Sequence, residues 1–146
     1  MDLSDLYSGM DRDPDEQQYI VAEMTEIIKH DLDRAIELAP GNALAYNNRG
    51  IASLCSGDAA AAIVDLCHAI ALDPAYRDAY HNRGLAYAEV GKLDEAIADL
   101  TQAIVFDPTF WSAYRHRGIV HAMRGDHQAS FQDYLQARAL EGGSEL

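Results

Sequence analysis

The sequence predicts an all-α solenoid of antiparallel helix pairs, with three full repeats and a capping helix in front of them. Two observations predict it. The phrase Ala45-Tyr46-Asn47-Asn48-Arg49-Gly50 returns as Ala79-Tyr80-His81-Asn82-Arg83-Gly84 and again as Ala113-Tyr114-Arg115-His116-Arg117-Gly118, at a step of 34 residues. Pro40, Pro74 and Pro108 keep the same step, as do Gly57, Gly91 and Gly125. A fixed period of this size is the mark of stacked repeats, each of which buries its apolar face only against a neighbour.

Taken in order, residues 1–12 read as a flexible acidic leader, with Leu3, Leu6, Tyr7 and Met10 as a sticky face. Asp13 is placed to cap a helix, Pro14 suits its first turn, and Glu16 stands where a capping-box acid would. Apolar residues at Ile20, Met24, Ile27, Ile28, Leu32, Ala35 and Ile36 keep helical spacing up to Ala39-Pro40-Gly41, which predicts one helix over about 15–38. Only its second half follows the repeat, for Asp31-Leu32 aligns with Asp65-Leu66, Asp99-Leu100 and Asp133-Tyr134.

The complete repeats are expected over 43–76, 77–110 and 111–140, in one domain spanning 13–140, with a mobile tail at 141–146. In each, a first helix (about 43–56, 77–90, 111–124) is followed by a glycine turn and a second helix (about 59–72, 93–106, 127–140). Gly57, Gly91 and Gly125 suit the left-handed residue that ends a helix. Arg138 stands in the last repeat where Ile36, Ile70 and Ile104 face a following repeat, so the array is expected to end there with a wetted face.

Composition narrows the function. The chain has 146 residues, is 49% apolar and carries a formal charge of −13. That is enough apolar content for a core, and the wrong sign for nucleic acid. Residues 1–40 hold eleven acidic residues against Arg12, Lys29 and Arg34, read as a solubilising feature. The start Met1-Asp2-Leu3-Ser4-Asp5 has no long apolar run, so neither signal peptide nor membrane insertion is expected, and a cytoplasmic location is the default. Cys55 and Cys67 lack metal or redox spacing and read as buried free thiols.

Arg49, Arg83 and Arg117 each precede an aspartate (Asp65, Asp99, Asp133) by sixteen residues, an offset that joins the two helices of one hairpin. They read as structural ion pairs. His81, His116 and His121 invite a metal reading, but no third ligand is placed, and no cofactor is expected. Without a nucleophile–base pair, phosphate loop or metalloprotease motif, an enzyme is not expected.

On these residues the chain resembles the tetratricopeptide repeat (TPR) family. Gly50, Gly84 and Gly118 with Ala62, Ala96 and Ser130 match its close-packing positions, and Tyr46, Tyr80 and Tyr114 its aromatic position. The resemblance implies a right-handed superhelix whose first helices line a concave face that binds a protein or peptide segment. The implied groove residues are Asn47, Asn48, Ile51, Asp78, His81, Asn82, Leu85, Arg115, His116 and Ile119. Asn48, Asn82 and His116 would form a ladder able to grip a peptide backbone, and Asp78 and Glu89 would favour a basic ligand residue.

Family members that hold acidic chaperone C-termini use Lys/Arg and Asn in a set pattern. Here those places fall on Asn47, Ile51, Asn82, Ser112 and His116, or half a repeat earlier on Asp13, Gln17, Asn48, Asp78 and Asn82. Only the middle Asn fits in either frame, so such a clamp is not expected. The reading is an adaptor, monomeric or weakly dimeric. The alternative is a self-assembling module joined through its leader or its repeat faces.

Overall fold

The computed structural model describes residues 14–142. Among them are seven helices and no strand: α1 (Pro14–Leu38), α2 (Ala43–Cys55), α3 (Ala59–Leu72), α4 (Arg77–Glu89), α5 (Leu93–Phe106), α6 (Trp111–Arg124) and α7 (His127–Glu141). Helices α2–α3, α4–α5 and α6–α7 form three hairpins, each packed on the one before it, with α1 packed on α2. The leader, the Asp13 cap and the last four residues lie outside the described residues, as does the Glu16 side chain.

Local chemistry sets the helix ends. The side chains of Asn42, Asp58 and Asp126 accept the backbone N–H of Ala45, Ala61 and Ala129 at 3.2, 3.1 and 3.1 Å, satisfying donors that the helix cannot. Each hairpin turns through a glycine at φ +82, +80 or +92°. The next N–H then reaches back across five residues, Asp58 to Ser53, Lys92 to Tyr87 and Asp126 to His121, at 2.8–2.9 Å. This is the bond that a left-handed C-terminal residue makes possible, and a side chain there would be strained.

Small residues then let the two helices of a hairpin close. Ala62, Leu66, Ala96 and Leu100 are fully buried. A Cβ at Gly84 would stand 2.9 Å from Leu100 Cγ and 3.2 Å from the Ala96 carbonyl oxygen, and one at Gly50 would stand 2.8 Å from Leu66 Cγ. Dispersion and burial favour this approach, which only glycine permits.

The arginine pairs fix the geometry of the hairpins. Arg49 bonds Asp65 through Nε and Nη2 at 2.9 and 2.7 Å. Arg83 bonds Asp99 at 2.7 and 2.8 Å, and Arg117 bonds Asp133 at 2.8 and 2.7 Å. The aspartates are 6% exposed, so each fork is largely removed from water. Hydrogen bonding to its aspartate raises each guanidinium above its ordinary pKa, against the opposing effect of burial.

The third nitrogen of each fork reaches the preceding second helix or α1. Arg49 Nη1 meets Asp33 at 2.9 Å, Arg83 Nη1 meets Cys67 Sγ at 3.5 Å, and Arg117 Nη1 meets Thr101 Oγ1 at 3.2 Å. One arginine per repeat thus ties three helices together.

Two expectations are corrected. Cys55 and Cys67 are exposed rather than buried. Cys67 occupies the place taken elsewhere by Asp33 and Thr101, and Cys55 the place of Glu89 and Met123, all surface positions.

Breaking one fork leaves a charge unpaired in a mostly dry place, so Asp99→Ala is expected to lower unfolding stability by about 2–4 kcal/mol. The double variant Arg83→Met/Asp99→Leu should lose less, which urea titration of both proteins will measure.

Candidate functional site

The first helices α2, α4 and α6 lie side by side, so their outward residues form one continuous face. The contacts across it join residues 35 apart. Asn82 Nδ2 donates to Asn47 Oδ1 at 3.1 Å, and His81 Nε2 lies 3.1 Å from His116 Nδ1. Two rungs, Asn47–Asn82 and His81–His116, thus join adjacent first helices, so Asn82 and His116 of the expected ladder also make contacts within the chain. Adjacent helices meet one column out of register because the stack twists. Asn47 is 3% exposed and is corrected from a groove residue to a packing residue, since a ligand cannot reach it.

The His81–His116 rung is a built cluster. His116 Nδ1 lies 2.7 Å from the Ser112 carbonyl oxygen. A carbonyl only accepts, so this nitrogen carries the hydrogen and His81 Nε2 is left as an acceptor. Ser112 Oγ stands 3.3 Å from His116 Nδ1 and 3.5 Å from His81 Nε2. The Phe110 ring packs on His81 with centroids 4.9 Å apart, and Arg77 lies over the same ring at 4.3 Å. Arg77 also bonds Asp78 at 2.9 and 2.8 Å and reaches Asp107.

Asp78 is thus already matched with a cation of its own chain. Burial first, and the neighbouring His116 second, push the His81 imidazole down to about 4. Burial also lowers His116, against the pull of the Ser112 carbonyl. Burial thus favours the neutral form of both rings, and the acceptor role of His81 Nε2 fits a neutral His81.

The remaining groove residues divide between the ends. Asn48 and Ile51 are exposed and, with Thr25, Ile28, Leu32 and Cys55, line a groove of about 310 Å³ between α1 and α2. Leu85 is half-buried in the middle and Ile119 is exposed on α6. Arg115 is exposed at the other end, where it lines a hollow of about 260 Å³ with Tyr134, Ala137, Arg138 and Glu141. A larger hollow of about 600 Å³ surrounds the first arginine fork, with Lys29, Asp33, Arg49 and Asp65 in its wall. Its charges already serve one another.

Among the described residues no three His, Cys, Asp or Glu side chains come together to hold a metal ion. His121 faces inward, with Nε2 3.7 Å from Asp133 Oδ2 and Nδ1 buried without a partner among the described residues. No described helix is long and apolar enough to cross a membrane.

Reading the repeat missed Arg77 and Phe110, and met Ser112 only as an unfilled clamp position. Arg77 and Ser112 have no counterpart of their kind in the other repeats, whose equivalent places hold Ala43 and Trp111, and Leu44 and Asp78. Phe110 had a signal, since Tyr76 is aromatic one period earlier.

A family profile for the tetratricopeptide repeat matches residues 78–110. A crystal structure of MamA is 31% identical, covering 78% of this chain and 67% of that one, with a TM-score of 0.72. The chain belongs to the tetratricopeptide repeat family.

A second TPR structure is 31% identical and covers 67% of this chain and 91% of its own, with a TM-score of 0.65. It is the second TPR of Spaghetti (RPAP3), bound to the HSP90 peptide SRMEEVD. MamA from Desulfovibrio magneticus RS-1, at 22% identity, covers 85% of this chain and 70% of its own with a TM-score of 0.78, which speaks for the shared fold. No curated protein sequence matches the chain.

The neutral histidine rung gives a pH dependence of known sign. His81 titrates near 4 in the folded chain and near its ordinary 6.5 when unfolded, so the unfolded state takes up the proton first. Stability contributed at this residue is present above 6.5 and is lost as pH falls toward 4. His81→Gln is expected to remove on the order of 2 kcal/mol of the pH dependence between pH 7 and pH 4, as thermal melts across that range will show.

Proposed function

We propose that this TPR chain is a protein-interaction adaptor that takes a peptide segment of a partner along the inner face formed by α2, α4 and α6. The observation that carries the reading is that face itself. It presents the exposed Asn48 amide, the Asn82 amide, the exposed Ile51 and Ile119 and the guanidinium of Arg115 on three helices held in register by forks and rungs. Amides that both donate and accept suit an extended backbone, and spaced apolar places suit its side chains.

The HSP90 peptide held by the second TPR of Spaghetti (RPAP3) is acidic in sequence, SRMEEVD. This chain carries −13 and has Asn47, Ile51, Ser112 and His116 where the family's clamp uses Lys/Arg and Asn for an acidic tail. Asn47 is buried, and His116 is neutral and bonded to Ser112. The peptide that fits here is therefore neutral or basic, and Coulomb repulsion disfavours an acidic one.

Random peptides displayed on phage and selected against the intact chain will test this. Selected sequences are expected to lack Asp/Glu runs. They should also lose at least about tenfold in affinity, or about 1.4 kcal/mol, on the exposed-residue variant Asn48→Ala/Ile119→Ser, whose melting temperature should not change. Unchanged titration calorimetry with that variant would overturn the inner face as the site.

A further inference from the structure

Three features at the front of the array mark the place of a helix that the described chain does not supply. The first is Asp31, which aligns with Asp65, Asp99 and Asp133. Each of those aspartates holds a forked arginine sixteen residues earlier, but that place before Asp31 is Asp15. The Asp31 side chain is 79% exposed, and among the described residues its ion contact is to His30 at 4.0 Å. The second is Asn48, which aligns with Asn82 and His116. Those two side chains meet the preceding first helix, at Asn47 and His81. Among the described residues Asn48 has no hydrogen-bond partner, and no first helix precedes α2 there.

The third is apolar. At 100° per residue, Met24, Ile27, Ile28 and Leu38 fall on one side of α1 with Asp31 in their midst. All four are exposed, at 56, 57, 48 and 77%. This stripe runs into the groove of about 310 Å³ that Ile28 shares with Asn48, Ile51 and Cys55. A carboxylate centred in an apolar stripe selects a cation carried on an apolar surface. Helix α1 itself has seven acidic residues against Lys29 and Arg34, which disfavours a second α1 as the occupant.

We propose that an amphipathic helix of a partner protein docks along α1 and α2 in the place of a first helix that the described residues do not supply and completes the leading hairpin, with an arginine on Asp31 and a polar side chain on Asn48. Ile28 stands where the repeats have Ala62 and Ala96, so a glycine or alanine of the incoming helix is required opposite it. This site shares Asn48 and Ile51 with the inner face proposed above. Its test therefore reads Asp31 and Cys55, which that proposal does not use, and the two can fail separately.

The probe is a synthetic peptide of this chain's own residues 75–91, held helical by a hydrocarbon staple replacing Asp78 and Asn82, the side chains that would face solvent in the docked pose. It carries Arg83 for Asp31, His81 for Asn48 and Gly84 for Ile28. Fluorescence anisotropy with the intact chain should show saturable binding, and bound peptide should slow maleimide labelling of Cys55 by at least about fivefold. Asp31→Lys should weaken binding at least tenfold, and the Arg83→Glu peptide should recover affinity for that variant.

Absence of saturable binding, or binding indifferent to Asp31→Lys, would overturn the proposal. So would Cys55 protection that grows with the concentration of the chain alone, which puts a second copy in the groove. Faster Cys55 labelling once residues 1–13 are removed would overturn it too, since the chain's own start would then be the occupant.

Discussion

The forked arginine on each first helix is the interaction on which the rest of this solenoid depends. A guanidinium offers five donors in a fixed plane, which is why one residue can grip both oxygens of an aspartate and still reach a third helix. Arg83 does this with Asp99 and Cys67, and Arg117 with Asp133 and Thr101. A lysine in the same place would supply charge without the plane and would leave the hairpin angle free. The desolvation that these forks cost is offset by the paired hydrogen bonds, so they specify an angle more than they add net stability.

That angle would be useless without the small residues beside it. Gly84 lets α4 approach until Leu100 is fully buried, and the fork then sits at the distance its two bonds require. Packing and electrostatics here make the same demand on the backbone. Because every repeat makes it, the first helices arrive side by side and a continuous face exists at all.

The architecture was legible because each of its demands leaves a mark every 34 residues: an arginine, an aspartate sixteen later, a turn glycine. The face was less legible, for a physical reason. A sequence period aligns like with like, whereas neighbouring helices of a twisted stack touch between unlike columns, as Asn47 does with Asn82 and His81 with His116. One column of offset turned an expected ligand residue, Asn47, into a buried strut. Arg77 and Ser112 were hidden because they occur once, and a repeat-based reading discounts what does not recur. The cysteines were misjudged by residue type, although their columns contain Asp33, Thr101 and Glu89, which already placed them at the surface.

The joints between repeats are not alike. Between the first and second full repeats the fork ends on a sulfur at 3.5 Å, and the rung is one hydrogen bond between side-chain amides. Between the second and third it ends on a hydroxyl at 3.2 Å, and Arg77, Phe110, Ser112 and the two histidines fill the seam. Seen as a spring, the superhelix has coils coupled by different chemistry, a buried apolar cluster with one amide–amide hydrogen bond in front of α4 and a polar histidine–serine–arginine seam behind it.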